Sequence, residues 1–235
     1  MDQPWINLQN YTLPEVILFL IGALLWAYTY IVVVIRNAQH KTVAIPLTAI
    51  CLNFGWEVAC VFFYRYGVDM GKLFVLGYAL WMVIDMIIVT QMFLYGDTQI
   101  NTDYVKKHLR PLLVLGVLGS ILGHIFFMTE GFDRPMAVIS AYLINLAMSI
   151  DFCTLAFKPK FQGLSKSVAW GKGLGTGLIS ICFFLKYPDT HFLTTMYVLT
   201  AFFDGLYLYL LYRVVPTLST NHPEPENSLM TQPSS

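Results

Sequence analysis

Charge is the scarcest commodity in this chain. Only 12% of its 235 residues are Asp, Glu, Lys or Arg, where a soluble domain carries roughly 25%. The fourteen basic residues and fourteen acidic residues cancel, so no basic footprint marks a nucleic-acid surface and nucleic acid is not an expected partner. Cysteine is also sparse. Cys51, Cys60, Cys153 and Cys182 all fall inside apolar runs, and the first two, on one helix, lie roughly 13 Å apart along it, too far to bridge. They read as small buried hydrophobes. No Cys/His pair has zinc spacing, so no metal site is expected. A cleavable signal peptide is not expected either. The first twelve residues are polar, lack Lys and Arg, and lead into a full-length apolar run, so the first helix is expected to act as its own insertion signal.

What the chain has in place of charge is 57% hydrophobic residues, 15% aromatics and a mean hydropathy of +0.61. Seven apolar runs follow one another at 14–35, 43–63, 73–94, 112–128, 136–157, 168–185 and 192–214. Runs of this length are membrane-span candidates. The expected fold is therefore all-α, a polytopic bundle of seven transmembrane helices. Pro14, Pro46 and Pro111 stand near expected helix starts, where a missing N–H costs nothing. The glycine-rich stretch 171–177 predicts close packing of the sixth helix through small residues. Residues 1–215 form one transmembrane domain, and the polar, Pro/Ser-rich stretch 216–235 is expected to be a disordered cytosolic tail.

Orientation follows from the basic residues. Four of them fall on the side of the N-terminus (Arg65, Lys72, Arg134, Lys186) and ten on the other. The second side is expected to be cytosolic, which puts the N-terminus in the lumen, the C-terminus in the cytosol and the chain in the endoplasmic reticulum membrane. The Asn10-Tyr11-Thr12 sequon would then be luminal, too close to the bilayer for use.

Inside the runs, polar residues sort into helical stripes. Asn53, Glu57, Cys60 and Tyr64 share one. Tyr78, Trp81, Met82, Asp85 and Met92 cluster on the third helix, and Ser120 and His124 stand one turn apart on the fourth. The fifth carries Tyr142, Asn145 and Ser149, with Asp151 on another face and read as structural. The seventh aligns Tyr197, Thr200, Asp204 and Tyr207. Such stripes turn inward because lipid offers no hydrogen-bond partners, and an ionisable residue there is a functional-site hypothesis. Glu57 lies roughly 21 Å from the cytosolic end of its helix and Asp204 roughly 18 Å from the luminal end of its own. Glu57, His124 and Asp204 are thus expected to share one luminal-side pocket. No Lys or Arg is expected deep enough to neutralise the acids, since Lys172 and Lys186 stand near run ends. A buried carboxyl group with no cation beside it holds its proton, the state in which it can act as a general acid. Trp56, Tyr64, Trp81 and Tyr207 flank the acids. An acid in an aromatic chamber suits carbocation chemistry, because the rings stabilise cations and the dry walls keep water from quenching them. Glu57 and Asp204 are the candidate catalytic residues, with Asn53, Trp56, Tyr64, Trp81, Asp85, His124, Thr200 and Tyr207 in support.

Several alternatives lack their signatures. There is no Asp-Asp-x-x-Asp or Asp-x-Asp-Asp motif, no lysine in the last run to carry retinal, and no receptor-type Asn-Pro-x-x-Tyr. No cofactor is expected. The length, the seven runs, the Asn-x-x-Trp-Glu stretch from Asn53 to Glu57, and Asp204 in Phe202-Phe203-Asp204-Gly205 together resemble the small seven-span terpene cyclases of fungal meroterpenoid and indole-diterpene pathways. The resemblance covers nearly the whole chain. It implies a metal-free, proton-initiated cyclisation of an epoxidised prenyl chain on an aromatic or polyketide-derived head, with the acids at Glu57 and Asp204 essential. It also implies a prenyltransferase and an epoxidase as pathway neighbours; the direct partners are the lipid bilayer and the small-molecule substrate. The preferred substrate is of the epoxyfarnesyl type, the alternative an epoxygeranylgeranyl indole. The rival class is a proton-coupled transporter using the same acids. A faint echo of Asp85, Asp151 and Asp204 along the third, fifth and seventh runs is the feature that favours it.

Overall fold

The computed structural model describes residues 4–64, 69–157 and 164–220, with side chains to residue 213. Seven α-helices carry the fold: α1 (Leu13–His40), α2 (Leu47–Phe62), α3 (Lys72–Tyr95), α4 (Asp103–Thr129), α5 (Val138–Ala156), α6 (Lys166–Lys186) and α7 (His191–Thr220). Short 3-10 turns at Gly96–Gln99 and Pro135–Ala137 lead out of α3 and into α5. No strand occurs among the described residues. Six of the helices are long and apolar enough to cross a membrane, and α2 is apolar but has 16 residues. The outward face is coated with large apolar side chains, including Leu24 (69% exposed), Leu115 (66%) and Phe202 (62%). In water such a coat would mark an association surface; in hydrocarbon it is the lipid-facing skin.

Two helix boundaries depart from the hydropathy reading. The second run was expected to be helical from residue 43, yet α2 begins at Leu47. Residues 43–46 are apolar and buried but not helical. Their backbone is served by side chains instead. Asn37 Oδ1 accepts from Ala44 N at 2.7 Å. Gln99 Nε2 donates to Val43 O at 2.8 Å and to Ile45 O at 2.6 Å, while its Oε1 accepts from Leu47 N at 3.2 Å. Buried extended backbone is affordable only with such partners. The fourth helix starts at Asp103, so Pro111 lies inside it rather than at its start. Its first two turns are polar, and a hydropathy window cannot see them. Likewise α7 continues through Pro216 to Thr220; the rest of the expected tail, 221–235, lies outside the described residues.

Small residues set the helix spacing. A Cβ on Gly22 of α1 would sit 2.7 Å from Ile179 Cγ1 and 2.8 Å from Gly175 O, and one on Gly175 would sit 3.0 Å from Gly22 O. The two backbones therefore touch, and α6 packs along α1 as the glycine-rich stretch predicts. In the same way Gly55 of α2 takes Ser120 of α4 against its backbone, 2.2 Å from where a Cβ would be. The α5–α7 contact completes the bundle.

Two hydrophobic clusters form. One surrounds Tyr30, Ile50, Met92, Phe152 and Tyr207, the other Phe19, Trp56, Phe74, Met136 and Phe183. The second is closed by residues 4–11. Asn7 N donates to Met70 O at 2.6 Å, Lys72 N to Pro4 O at 3.0 Å and Leu73 N to Trp5 O at 3.1 Å. Gly71, at φ +121°, allows this approach, since a Cβ there would fall 2.6 Å from Trp5 O.

Candidate active site

Between the two clusters lies a cavity whose walls come from α1, α2, α3, α5 and α6 and from the turn before α5. Its free volume is about 70 Å³. The free space is far smaller than a ligand pocket of roughly a few hundred Å³, so the rings that fill the cavity must shift to admit a guest. Eight of the fifteen lining residues are aromatic: Phe19, Trp26 and Tyr30 on α1, Trp56 on α2, Tyr78 and Trp81 on α3, Tyr142 on α5 and Phe183 on α6. They brace one another edge to face, with Trp56 against Tyr78 at 5.2 Å and Trp26 against Tyr30 at 5.5 Å. The α1 members and Phe183 are the ones the sequence reading missed. The α1 spacing at 19, 26 and 30 puts those three on one helical face, a signal hidden because the whole run is apolar.

Glu57 is the acid in the cavity wall, and it is 1% exposed. The Asn53 amide, one turn earlier, organises it. Asn53 Nδ2 stands 3.0 Å from Glu57 Oε1, 2.7 Å from Asp85 Oδ2 and 2.7 Å from the Tyr30 hydroxyl. Three helices thus converge on one side-chain amide. The Glu57 and Asp85 carboxyl groups share the Asn53 amide as their common donor. Glu57 Oε2 and Asp85 Oδ1 receive no donor from the protein. Asp85 is fully buried and does not line the cavity; it stands behind Glu57.

The cavity roof is held under strain. Met136 and Ala137 adopt left-handed backbone conformations, φ 67° and φ 53°, which cost non-glycine residues of order 1–3 kcal/mol each. Met136 N donates to Asp69 Oδ1 at 2.8 Å and to the Tyr64 hydroxyl at 3.1 Å. Tyr64 thus serves the roof from beyond the end of α2, not the acid. Trp56 is fixed by its indole N–H, which donates to Ser140 Oγ at 2.9 Å. Ser140 in turn donates to Asp133. Asp133 lies outside the spans; burial raises its carboxyl pKa, opposed by the donors of Ser140, Arg134 and Ile139.

The expected meeting of Glu57, His124 and Asp204 in one pocket does not occur. His124 faces a different hollow, lined by Leu52, Gly119, Ser120 and Phe127 among others, and its Nδ1 lies 2.8 Å from Ser120 O. Asp204 does not line the aromatic cavity. The expectation that no lysine reaches it also fails. Lys172 is 1% exposed, and its Nζ donates to Asp204 Oδ1 at 2.6 Å and to Ser149 Oγ at 2.7 Å. The physical reason is helix proximity. Lys172 is only the seventh residue of α6, but its neighbours there are glycines, so α1 and α7 close over it and its ammonium lies 5.8 Å from the Trp26 ring centre. Thr200, fully buried, precedes Asp204 by one turn, and Tyr207 stacks on Phe152 at 4.9 Å. Asp151 accepts from Thr48 across the α5–α2 contact.

Comparison with known proteins agrees with this architecture. Residues 4–216 match the family described as Pyr4-like transmembrane terpene cyclases. Among curated proteins, the terpene cyclase spyD of Aspergillus fumigatus is 26% identical over 173 residues, covering 70% of this chain and 69% of the relative. The terpene cyclase macJ of Penicillium terrestre is 24% identical over 71% of this chain and 65% of its own length. The terpene cyclase nodB of Hypoxylon pulicicidum is 23% identical over 69% of this chain and 66% of its own. The chain thus spans about two thirds of the length of these relatives. No solved structure matches. With a matched span from residue 4 to residue 216, this integral membrane chain belongs to the Pyr4-like transmembrane terpene cyclase family.

Proposed function

We propose that the chain is an acid-initiated cyclase for an epoxyprenylated, epoxyfarnesyl-type meroterpenoid, working in the endoplasmic reticulum membrane with its N-terminus in the lumen. The observation that carries the reading is Glu57 set in an aromatic wall with Asp85 behind it. The Asn53 amide, which holds Glu57, also meets Asp85 and the Tyr30 hydroxyl, none of them cationic. A proton held at this pair faces the cavity, since Glu57 lines it.

Glu57 delivers that proton to the oxygen of the terminal epoxide. The C–O bond to the more substituted carbon breaks, leaving a hydroxyl group and a tertiary cation. Each alkene in turn gives its π electrons to the cation ahead of it, closing one ring and passing the charge on. The cascade ends when a C–H proton is lost or a substrate hydroxyl captures the last cation and releases its own proton. Either way one proton enters and one leaves, so product and substrate have the same mass. The ring faces stabilise the moving charge, and the packed walls hold the folded conformer, supplying the entropic part of the acceleration. The proton released at termination returns to the Glu57–Asp85 site, where the Asn53 amide holds both carboxyl groups. A prenyltransferase and an epoxidase would supply the substrate.

The test is conversion. Membranes carrying the chain are fed epoxyfarnesyl and epoxygeranylgeranyl derivatives of an aromatic head, and products are separated by chromatography and weighed. A new compound of unchanged mass, absent with Glu57→Gln, is expected without any ion gradient. Recovery of both substrates unchanged, in membranes where the protein is folded, would overturn the cyclase reading. Uptake coupled to a proton gradient would replace it with transport.

A further inference from the structure

The fifth, sixth and seventh helices carry two polar layers one turn apart. The deeper layer is the triad Ser149, Lys172 and Asp204, in which every contact is made. One turn away along each helix stand Asn145, Thr176 and Thr200. In this second layer Asn145 Oδ1, Thr176 Oγ1 and Thr200 Oγ1 are buried with no hydrogen-bond partner. Asn145 and Thr176 line the aromatic cavity, and Thr176 is 4% exposed.

The unused hydroxyls are informative because the bundle shows what a helical hydroxyl does by default. It bonds the carbonyl one turn back. Thr29 does so to Leu25, Ser149 to Asn145 and Ser180 to Thr176, each at 2.8 Å. Thr176 and Thr200 do not. A buried polar atom left unmatched costs about 1–3 kcal/mol, so Thr176 and Asn145, both on the cavity wall, call for a partner within the cavity.

We propose that Asn145 and Thr176 form a second polar subsite of the cavity, one that takes a neutral hydroxyl group on the head of the substrate. The chemistry of the pair selects that group. Asn145 Oδ1 only accepts, and Thr176 Oγ1 can donate, so together they suit a group that both donates and accepts, as an aryl or enol O–H does. A carbonyl or an ether would leave Asn145 Oδ1 unmet. The Lys172–Asp204 pair acts behind the subsite as a positioning element. It ties α6 to α7 one turn below Thr176 and Thr200 and leaves no free charge to attract an ionised ligand. This assigns the two polar walls of the cavity to the two oxygen-bearing ends of the substrate, the epoxide end at Glu57 and the head at Asn145 and Thr176. The assignment rests on the cyclase reading for the identity of the chain, but not for its test.

The probe is a farnesylated phenol without an epoxide, which can bind but not react, paired with its methyl ether. Binding to the purified, detergent-solubilised full chain is followed by tryptophan fluorescence, since Trp26, Trp56 and Trp81 line the cavity. The wild type is expected to prefer the phenol by about tenfold, the worth of a typical buried hydrogen bond. Thr176→Val and Asn145→Leu should each erase most of that preference by weakening the phenol alone. Thr176→Ser should keep it, which a merely structural role for the residue would not predict. Equal affinity of the wild type for both probes, or a preference that survives in both variants, overturns the subsite, as does failure to bind either probe. Conversion of the epoxide substrate is measured separately. Turnover without head preference sinks this inference alone, and head preference without turnover sinks the cyclase reading alone.

Discussion

Replacing Lys172 by Met tests the buried ion pair, and the structure sets the size of the effect. Lys172 is 1% exposed and Asp204 7%, and the pair is closed at 2.6 Å. Lys172→Met leaves the Asp204 carboxylate with no cation and strips Ser149 Oγ of its ammonium donor. Breaking a buried pair from one side costs about 3–5 kcal/mol, because the remaining charge stays in a low-dielectric site. Asp204→Leu, which strands the ammonium on Ser149 and the Trp26 ring, belongs in the same range. The double variant Lys172→Met/Asp204→Leu removes both charges at similar volume. Such replacements are commonly neutral or stabilising, so its cost should be no more than about 1 kcal/mol. That is non-additivity far beyond the roughly 0.5 kcal/mol expected of independent sites. The measurement is unfolding of the purified protein by SDS titration from neutral detergent micelles, followed by tryptophan fluorescence and circular dichroism. Costs that simply add, leaving the double variant the least stable of the three, would refute the reasoning. Cyclisation by the double variant then separates two roles for Asp204. Partial recovery of activity over the single variants means the residue acts by holding α6 to α7. A stable but inactive double variant means that its carboxyl group enters the chemistry.

Three further outcomes follow from the same geometry. Glu57→Gln preserves shape and the contact with Asn53 but removes the transferable proton, so kcat should fall by roughly 10²–10⁴ while circular dichroism stays unchanged. Asp85→Asn keeps the bond pattern around Asn53 but removes the second carboxyl group on that amide; steady-state kinetics should show a smaller loss in kcat at unchanged KM, whereas a rise in KM alone would place Asp85 in substrate binding. Gly22→Ala drives a methyl group to 2.7 Å from Ile179 Cγ1 and 2.8 Å from Gly175 O and should destabilise by about 1–3 kcal/mol in the SDS titration. Gly77→Ala, where nothing lies within 4 Å, should cost nothing and serves as its control.

Hydropathy, composition and helical periodicity were enough for the membrane class, for helices near all seven apolar runs and for the polar stripe carrying Asn53 and Glu57. These are local quantities. A run of apolar side chains has to satisfy its own backbone in lipid, and an α-helix does so without help from the rest of the chain. The same locality explains the errors at residues 43–46 and at Pro111. Hydropathy measures where a residue can be buried, not whether distant side chains such as Asn37 and Gln99 will serve its backbone. The grouping of the acids was decided by tertiary structure alone. Glu57 and Asp204 look equivalent along the chain, each an acid deep in an apolar helix. Packing set Glu57 against Asp85 and the aromatic cavity, and Asp204 against a lysine that sequence position had put near a helix end. What separates them is how closely glycine-lined helices approach, and that depends on contacts between residues far apart in the chain.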